Sequence, residues 1–262
     1  MTDLNTIPIV SVIVPTYNGD VAKMELTFDS IKKQSFPNFE CIVVDDSDKV
    51  DVIKFLESVS ENDTRFFYCR GQGVGIAAAL NIGIGKSRGD FIARVDDTDI
   101  LNLTRFEIQL AYLKKHKEVS VVGSYSLVQR GENSFIRRYP ESHNKIRKGF
   151  LFSCPIAHSA VMARKTVLVA AGGYDETFSY CEDLELWLRL LRSGVQFGNC
   201  KTDLILFDSK VVIRSNAHFK SNSRARLKHS ADILIGISYF ISLLHFVIPA
   251  GARSVIKRFF ER

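Results

Sequence analysis

Residues 8–18 read PIVSVIVPTYN and residues 39–47 read FECIVVDDS. Each is a run of apolar, mostly β-branched residues that stops abruptly in polar ones. A continuous apolar run of this length, bounded by turn residues, predicts a strand covered on both faces. Pro15 stops the first run, and Asp45 and Asp46 end the second. Outward from these strands the period changes. Helical spacing runs from Val21 to Gln34 and from Val50 to Val59, RFFYC (65–69) predicts a strand, Gly75 to Lys86 an alanine-rich helix, and DFIARV (90–95) another strand. Strand and helix alternate four times, which predicts an α/β fold with a largely parallel sheet under covering helices. Thr16, Tyr17, Asn18, Asp45, Asp46 and Asp96 then fall just past strand C-termini, the edge at which open α/β sheets bind ligands.

With 262 residues and 46% hydrophobic composition, the chain can bury a full core as one large α/β domain or as a domain with an appendage. The formal charge of +6 admits anionic partners, but the acids gathered at the sheet edge exclude a phosphate-backbone groove, so no nucleic acid is expected. Five cysteines (Cys41, Cys69, Cys154, Cys181, Cys200) stand far apart with no CxxC pair, so neither a disulfide framework nor a zinc site is predicted and a reducing compartment fits. The opening MTDLNTIPIV lacks a basic region followed by a long apolar run, so no secretory leader is expected.

The next strand runs into FIARVDDTDI (91–100), with three aspartates in four positions. Carboxylates this close repel, and either a divalent cation or a solvated turn accommodates them. Gly71, Gly73 and Gly75 are spaced GxGxG with Ile76 where a dinucleotide fingerprint needs glycine, and no GK[ST] follows, so they read as a turn into a helix. After Asp99, Leu103 to His116 predicts a helix, VSVVGSYSLVQR (119–130) a strand, and FLFSCPIAHSAVMARK (150–165) a loop leading to a short strand. In GGYDETFSYCEDLELWLRLLRSG (172–194), Leu184, Leu188 and Leu191, widened by Trp187 and Leu190, form the apolar face of a helix with Glu182 and Asp183 in its first turn.

Taken together, VSVIVPTYN, IVVDDS, GIAAALNIGIGKSRGD, ARVDDTD, CPIAHSAVMARK and GGYDETFSYCEDLELWLRL resemble, in order and spacing from about Val10 to Gly194, the family 2 glycosyltransferases, the inverting GT-A type that builds bacterial surface polysaccharides. The resemblance implies a Rossmann-like nucleotide-binding sheet with helices on both faces over residues 1–218, with the nucleotide-sugar half at about 8–100 and the acceptor half at about 101–218. It implies that Pro15, Tyr17, Asn18, Asp45, Asp46, Gly75, Asn81, Arg94, Asp96, Asp97 and His158 bind the nucleotide sugar, Asp45 by accepting from a base imide N–H. It also implies that Asp96, Asp97 and Asp99 hold Mn²⁺ or Mg²⁺ against the diphosphate. Thr98 stands where the family carries the third residue of its DxD, so the metal set shifts toward Asp97 and Asp99. Asp183 matches the general base, with Glu182 positioning it.

These matches imply transfer of a hexose from a UDP-sugar, with dTDP-rhamnose as the alternative donor, to a lipid-linked (polyprenyl diphosphate) glycan at the cytoplasmic face of the inner membrane. A sugar-nucleotide pyrophosphorylase would need a glycine-rich loop with Arg and Lys that VIVPTYNGD lacks; a tethered sugar-nucleotide-binding module weakened by Thr98 is the reading from another class. Residues 219–262 form a basic, apolar tail: Ile233 to Ala252 carries no Lys, Arg, Asp or Glu, and Arg224, Arg226 and Lys228 precede it while Arg253, Lys257 and Arg258 follow. Positive charge on both sides predicts a helix lying in the membrane interface rather than crossing it.

Overall fold

The computed structural model describes residues 7–73, 75–208 and 215–230. The alternating half comes first: β1 (Val10–Thr16), α1 (Val21–Lys32), β2 (Phe39–Asp45), α2 (Val50–Asn62), β3 (Phe66–Arg70), α3 (Ile76–Lys86) and β4 (Phe91–Arg94). The second half holds β5 (Ile100–Leu101), α4 (Arg105–Lys115), β6 (Val119–Arg130), β7 (Asn133–Arg137), α5 (His143–Gly149), a 3₁₀ turn (His158–Ala160), β8 (Met162–Arg164), α6 (Lys165–Ala170), α7 (Glu182–Arg192), β9 (Gln196–Asp208) and α8 (Asn216–Lys228).

Among the described residues the nine strands join one sheet in the order β3-β2-β1-β4-β8-β6-β9-β5, with β7 added to β6. The first four are parallel, as the alternation with helices requires. The second half departs from the expected parallel sheet: β8 runs antiparallel to β4 and β6, β5 and β7 are antiparallel additions, and β6 with β9 are parallel. Two antiparallel steps through β8 leave β6 running the same way as β4. The C-terminal ends of β1, β2, β4 and β6 therefore open on one edge.

Alternation along each strand divides the core. Val10, Val12 and Val14 pack with Met24, Phe28 and Ile31 of α1 and with Val52 and Leu56 of α2. Ile13 faces the other side, toward Leu80 and Ile84 of α3 and Leu184, Trp187 and Leu188 of α7. Helices thus cover both faces. Pro15 is tolerated inside β1 because the β1–β4 ladder ends at Ile13–Arg94, below the missing N–H.

The basic residues before the apolar run are anchored to this body. Arg224 donates to the Thr177 carbonyl and hydroxyl at 3.0 Å and lies over the Phe178 ring. Arg226 is buried, donating to the Phe150 carbonyl, and Lys228 pairs with Asp175 (2.6 Å) and Glu185 (2.8 Å). Arg253, Lys257, Arg258 and the run from Ile233 to Ala252, on which the membrane expectation rests, lie outside the described residues. Among the described residues no helix is long and apolar enough to cross a membrane.

Glu185 joins α7 to α8. Its buried carboxylate accepts from Arg189 (2.8 Å), Lys228 (2.8 Å) and His229 (3.0 Å). Burial pushes its pKa up, but the hydrogen bonds from His229, Arg189 and Lys228 outweigh burial and hold it well below the usual carboxylate range. Removing this buried carboxylate leaves Arg189 and the buried His229 without it, while the more exposed Lys228 keeps Asp175. Glu185→Gln should cost about 3 kcal/mol at pH 7 in a urea titration. A depressed folded-state value means this stabilisation is present above the ordinary Glu range and fades as pH falls toward the folded value. The variant and parent should therefore converge in strongly acidic buffer.

Candidate active site

At the nucleotide edge, the residues expected to cradle the donor are strongly tied to one another. Asp45 is fully buried; its Oδ2 accepts from Arg70 Nη1 (2.6 Å) and Tyr68 OH (3.1 Å), and its Oδ1 from the Ser47 N–H (2.8 Å). Asp46 Oδ1 accepts from the Gly73 N–H at 2.9 Å and so clasps the glycine turn. Asn18 sits in the left-handed region (φ 52°), and its Oδ1 accepts the Asp48 and Lys49 N–H groups at 3.1 Å, where α2 begins. Tyr17 projects outward, 68% exposed, while Pro15 stays inside β1. Gly75 opens α3 with φ +102°, a conformation open to glycine at little cost. Asn81 is committed to the second half of the chain: it binds both backbone groups of Tyr174 and reaches Glu176.

The three aspartates of the DDTD turn diverge. Asp96 pairs with Arg94 and keeps a 42% exposed side chain. Asp97 Oδ2 accepts from Thr16 Oγ1 at 2.6 Å, and burial pushes its pKa up. Asp99 turns inward, 3% exposed, beside the Ser159 hydroxyl, and its Oδ2 has no hydrogen-bond partner among the described residues. Burial, then the charge of Asp96, raises its pKa to about 7. Thr98 is the exposed member of the turn. Among the described residues no group of three or more His, Cys, Asp or Glu side chains gathers to hold a metal ion. The expected set of Asp96, Asp97 and Asp99 therefore does not converge, because the turn sends successive carboxylates to solvent, to β1 and to the core. Asp96 and Asp97 are the partly exposed members of the turn and could hold a cation together with oxygens of a bound donor, whereas Asp99 is buried.

The second half brings the other carboxylates to the same place. Cys181, in the left-handed region (φ 58°), turns the chain into α7, so Glu182 and Asp183 occupy the positive end of the helix. Asp183 Oδ1 accepts the Leu184 N–H at 2.7 Å, and its Oδ2 lies 3.9 Å from Cys154 Sγ. Burial, and for Glu182 also the neighbouring Asp183 charge, push both carboxyls up, Glu182 to about 7. Arg94, 5% exposed at the end of β4, opposes these acids with its positive charge. His158 contacts Tyr174 OH through Nε2 (2.8 Å), and its Nδ1 lies 3.8 Å from Glu182 Oε1. Its pKa falls well below the ordinary histidine value through burial and the Arg94 charge.

Sequence reading passed over Tyr68, Arg70, Arg105, Ser159 and Tyr174. Arg105 had a signal: with Gln109 it lies one turn apart on the helix face that also carries Phe106, Leu110 and Leu113. It is completely buried and donates to the carbonyls of Arg94 (2.9 Å) and Val161 (3.3 Å). Burial lowers its pKa to about 9.

The mixed sheet thus carries acids and a buried arginine at its C-terminal edge, with a carboxylate pair facing them from a helix start. The chain belongs to glycosyl transferase family 2, whose model matches residues 11–168. It is 28% identical over 229 residues to the Escherichia coli O-antigen biosynthesis glycosyltransferase WbnJ, covering 86% of each chain. It is also 28% identical over 193 residues to the Erwinia amylovora amylovoran biosynthesis glycosyltransferase AmsE, covering 72% of each. An uncharacterised glycosyltransferase of Rickettsia typhi is 29% identical over 80% of this chain, which spans 64% of that protein's length. The crystal structure of Staphylococcus aureus TarS 1–349 superposes with a TM-score of 0.68 at 18% identity, over 90% of this chain and 72% of that one.

A carboxylate acting as a base must be ionised. Because burial shifts both Glu182 and Asp183 upward, a base drawn from this pair should turn over weakly in acidic buffer, with its acidic limb above the ordinary carboxylate range. A kcat–pH profile with donor saturating checks this; a limb near the ordinary carboxylate range would contradict it.

Proposed function

We propose that the chain is an inverting hexosyltransferase. It moves a hexose from a UDP-sugar to a glycan carried on a polyprenyl diphosphate, during O-antigen, capsule or exopolysaccharide assembly at the cytoplasmic face of the bacterial inner membrane. The observation that carries the reading is the meeting of Glu182 and Asp183 with Arg94 at the sheet edge of a family 2 chain. WbnJ and AmsE bear the names of surface-polysaccharide enzymes, and TarS has been solved with UDP-GlcNAc, which supports a UDP-sugar donor. In this reading residues 8–100 hold the donor, 101–218 receive the acceptor, and the segment from 219 keeps the enzyme at the membrane.

The chemistry follows from the charges. Asp183 takes the proton of the acceptor hydroxyl as that oxygen attacks the anomeric carbon. The bond from that carbon to the diphosphate oxygen breaks on the opposite face, so the configuration inverts, and UDP leaves with the bonding pair. Arg94 opposes the negative charge that grows on the leaving group, a contribution that a water-poor site strengthens. Tyr17 offers an exposed ring to the base. A bound Mn²⁺ or Mg²⁺, contacted by Asp96, would supply further charge neutralisation at the diphosphate.

Asp183→Asn should lower kcat by about 10²- to 10⁴-fold, with donor KM little changed, because a base acts on the acceptor proton. Glu182→Gln should be milder. Nucleoside-diphosphate release (UDP from UDP-hexoses, dTDP from dTDP-rhamnose) measured over a donor panel tests base and donor together; undiminished kcat in Asp183→Asn would falsify the base assignment. Across a Mn²⁺ titration from chelator-treated enzyme, Asp96→Asn should raise the half-saturating concentration, whereas Asp99→Asn, changed beneath the surface, should leave it in place. The reverse ranking would return the metal to Asp99.

A further inference from the structure

The 3₁₀ turn, the loop before α7 and the start of α7 build a relay that the proposed reaction does not use. We infer that Tyr174 is a positioning residue: through His158 it holds an N–H against Glu182 and so sets the orientation and charge state of the carboxylate pair. The inference rests on the reading of Glu182 and Asp183 as the base pair.

With Glu182 ionised, one tautomer suits both contacts of the ring. A neutral imidazole carries one donor and one acceptor. Burial and the Arg94 charge keep His158 neutral, and burial keeps the Tyr174 hydroxyl protonated. If Tyr174 donates to Nε2 across 2.8 Å, the ring proton sits on Nδ1, which faces Glu182 Oε1 at 3.8 Å. The opposite tautomer would aim a lone pair at a carboxylate, which is repulsive. The ring has little freedom to turn: its edge packs on Trp187 at 83° with centroids 5.9 Å apart, and on Tyr174 at 5.6 Å.

Tyr174 is itself held from a distance in sequence. Asn81 accepts its N–H at 2.7 Å and donates to its carbonyl at 2.9 Å. The preceding Gly173, at φ +72°, leaves the space for this: a Cβ there would lie 2.3 Å from Asn81 Oδ1. The charged and titratable groups around Glu182 are His158 from the 3₁₀ turn, Asp183 on its own helix, Tyr174 from the loop before it, and Arg94 and Asp96 from the β4 edge. Of these, His158 is the neutral one whose polarity depends on a partner's hydrogen.

The test is the kcat–pH profile of Tyr174→Phe, alone and in a His158→Asn background that puts an amide N–H near the place of Nδ1–H. Tyr174→Phe should cut kcat roughly tenfold, leave donor KM within about twofold, and move the acidic limb upward by roughly half a pH unit, since the ionised carboxylate no longer has an N–H dipole held facing it. In the His158→Asn background, Tyr174→Phe should not move the limb. A limb unmoved by Tyr174→Phe, with only melting temperature lowered, overturns the inference, as does an equal shift in both backgrounds. Asp183→Asn measured alongside separates the two ideas. If it retains turnover, the base reading itself is wrong; if it is silent while the Tyr174→Phe limb stays put, only the relay fails.

Discussion

One buried guanidinium organises the candidate site. Arg94 is 5% exposed at the end of β4 and feels the charges of Asp96, Asp99 and Glu182. Without a cation at this point, the buried Asp99 and Glu182 and the more exposed Asp96 would have no opposing charge beside them, and buried like charges resist ionising together. With it, they coexist, but only just: Asp99 and Glu182 are each raised to about 7. Arg105 beneath braces the arrangement by donating to the Arg94 carbonyl, and its own upward-facing charge is opposed by Asp99. A site poised this way changes its protonation readily, which suits removal of a proton from an incoming hydroxyl.

The sheet topology is what lets distant parts of the chain share that cation. β4 carries Arg94, while the antiparallel β8 beside it follows directly on the 3₁₀ turn that carries His158 and Ser159. The reversal at β8 therefore delivers the second half of the chain to the edge where the first half ends. Asn81 adds a cross-link of 93 residues between α3 and the Tyr174 backbone. The two halves of the chain are stretches of sequence joined at one sheet edge.

Legibility in the sequence follows the range of the interactions. The four parallel strands were readable because their buried runs and turn residues are local signals, and the start of α7 was readable because Glu182 and Asp183 precede a strong apolar stripe. β9 was not: QFGNCKTDLILFD mixes polar and apolar residues, and its pairing with β6, interrupted by register shifts near Tyr125, lies some 75 residues away in the chain. α8 reads as polar on every side and was placed with the tail, since nothing local announces that Arg226 is buried. The aspartates show the same limit. Spacing brings Asp96, Asp97 and Asp99 together on paper, but Thr16 and Arg94 draw two of them apart and burial takes the third.

Glu185 lies three residues after Glu182, less than one helical turn, and holds Lys228 and His229 directly. The last described helix is thereby registered to the same short rod that carries the carboxylate pair. Ser230, the last described residue, thus comes one position after a side chain bonded to α7. A change that shifts α8 therefore also shifts the start of α7, because Lys228 and His229 hold the same carboxylate.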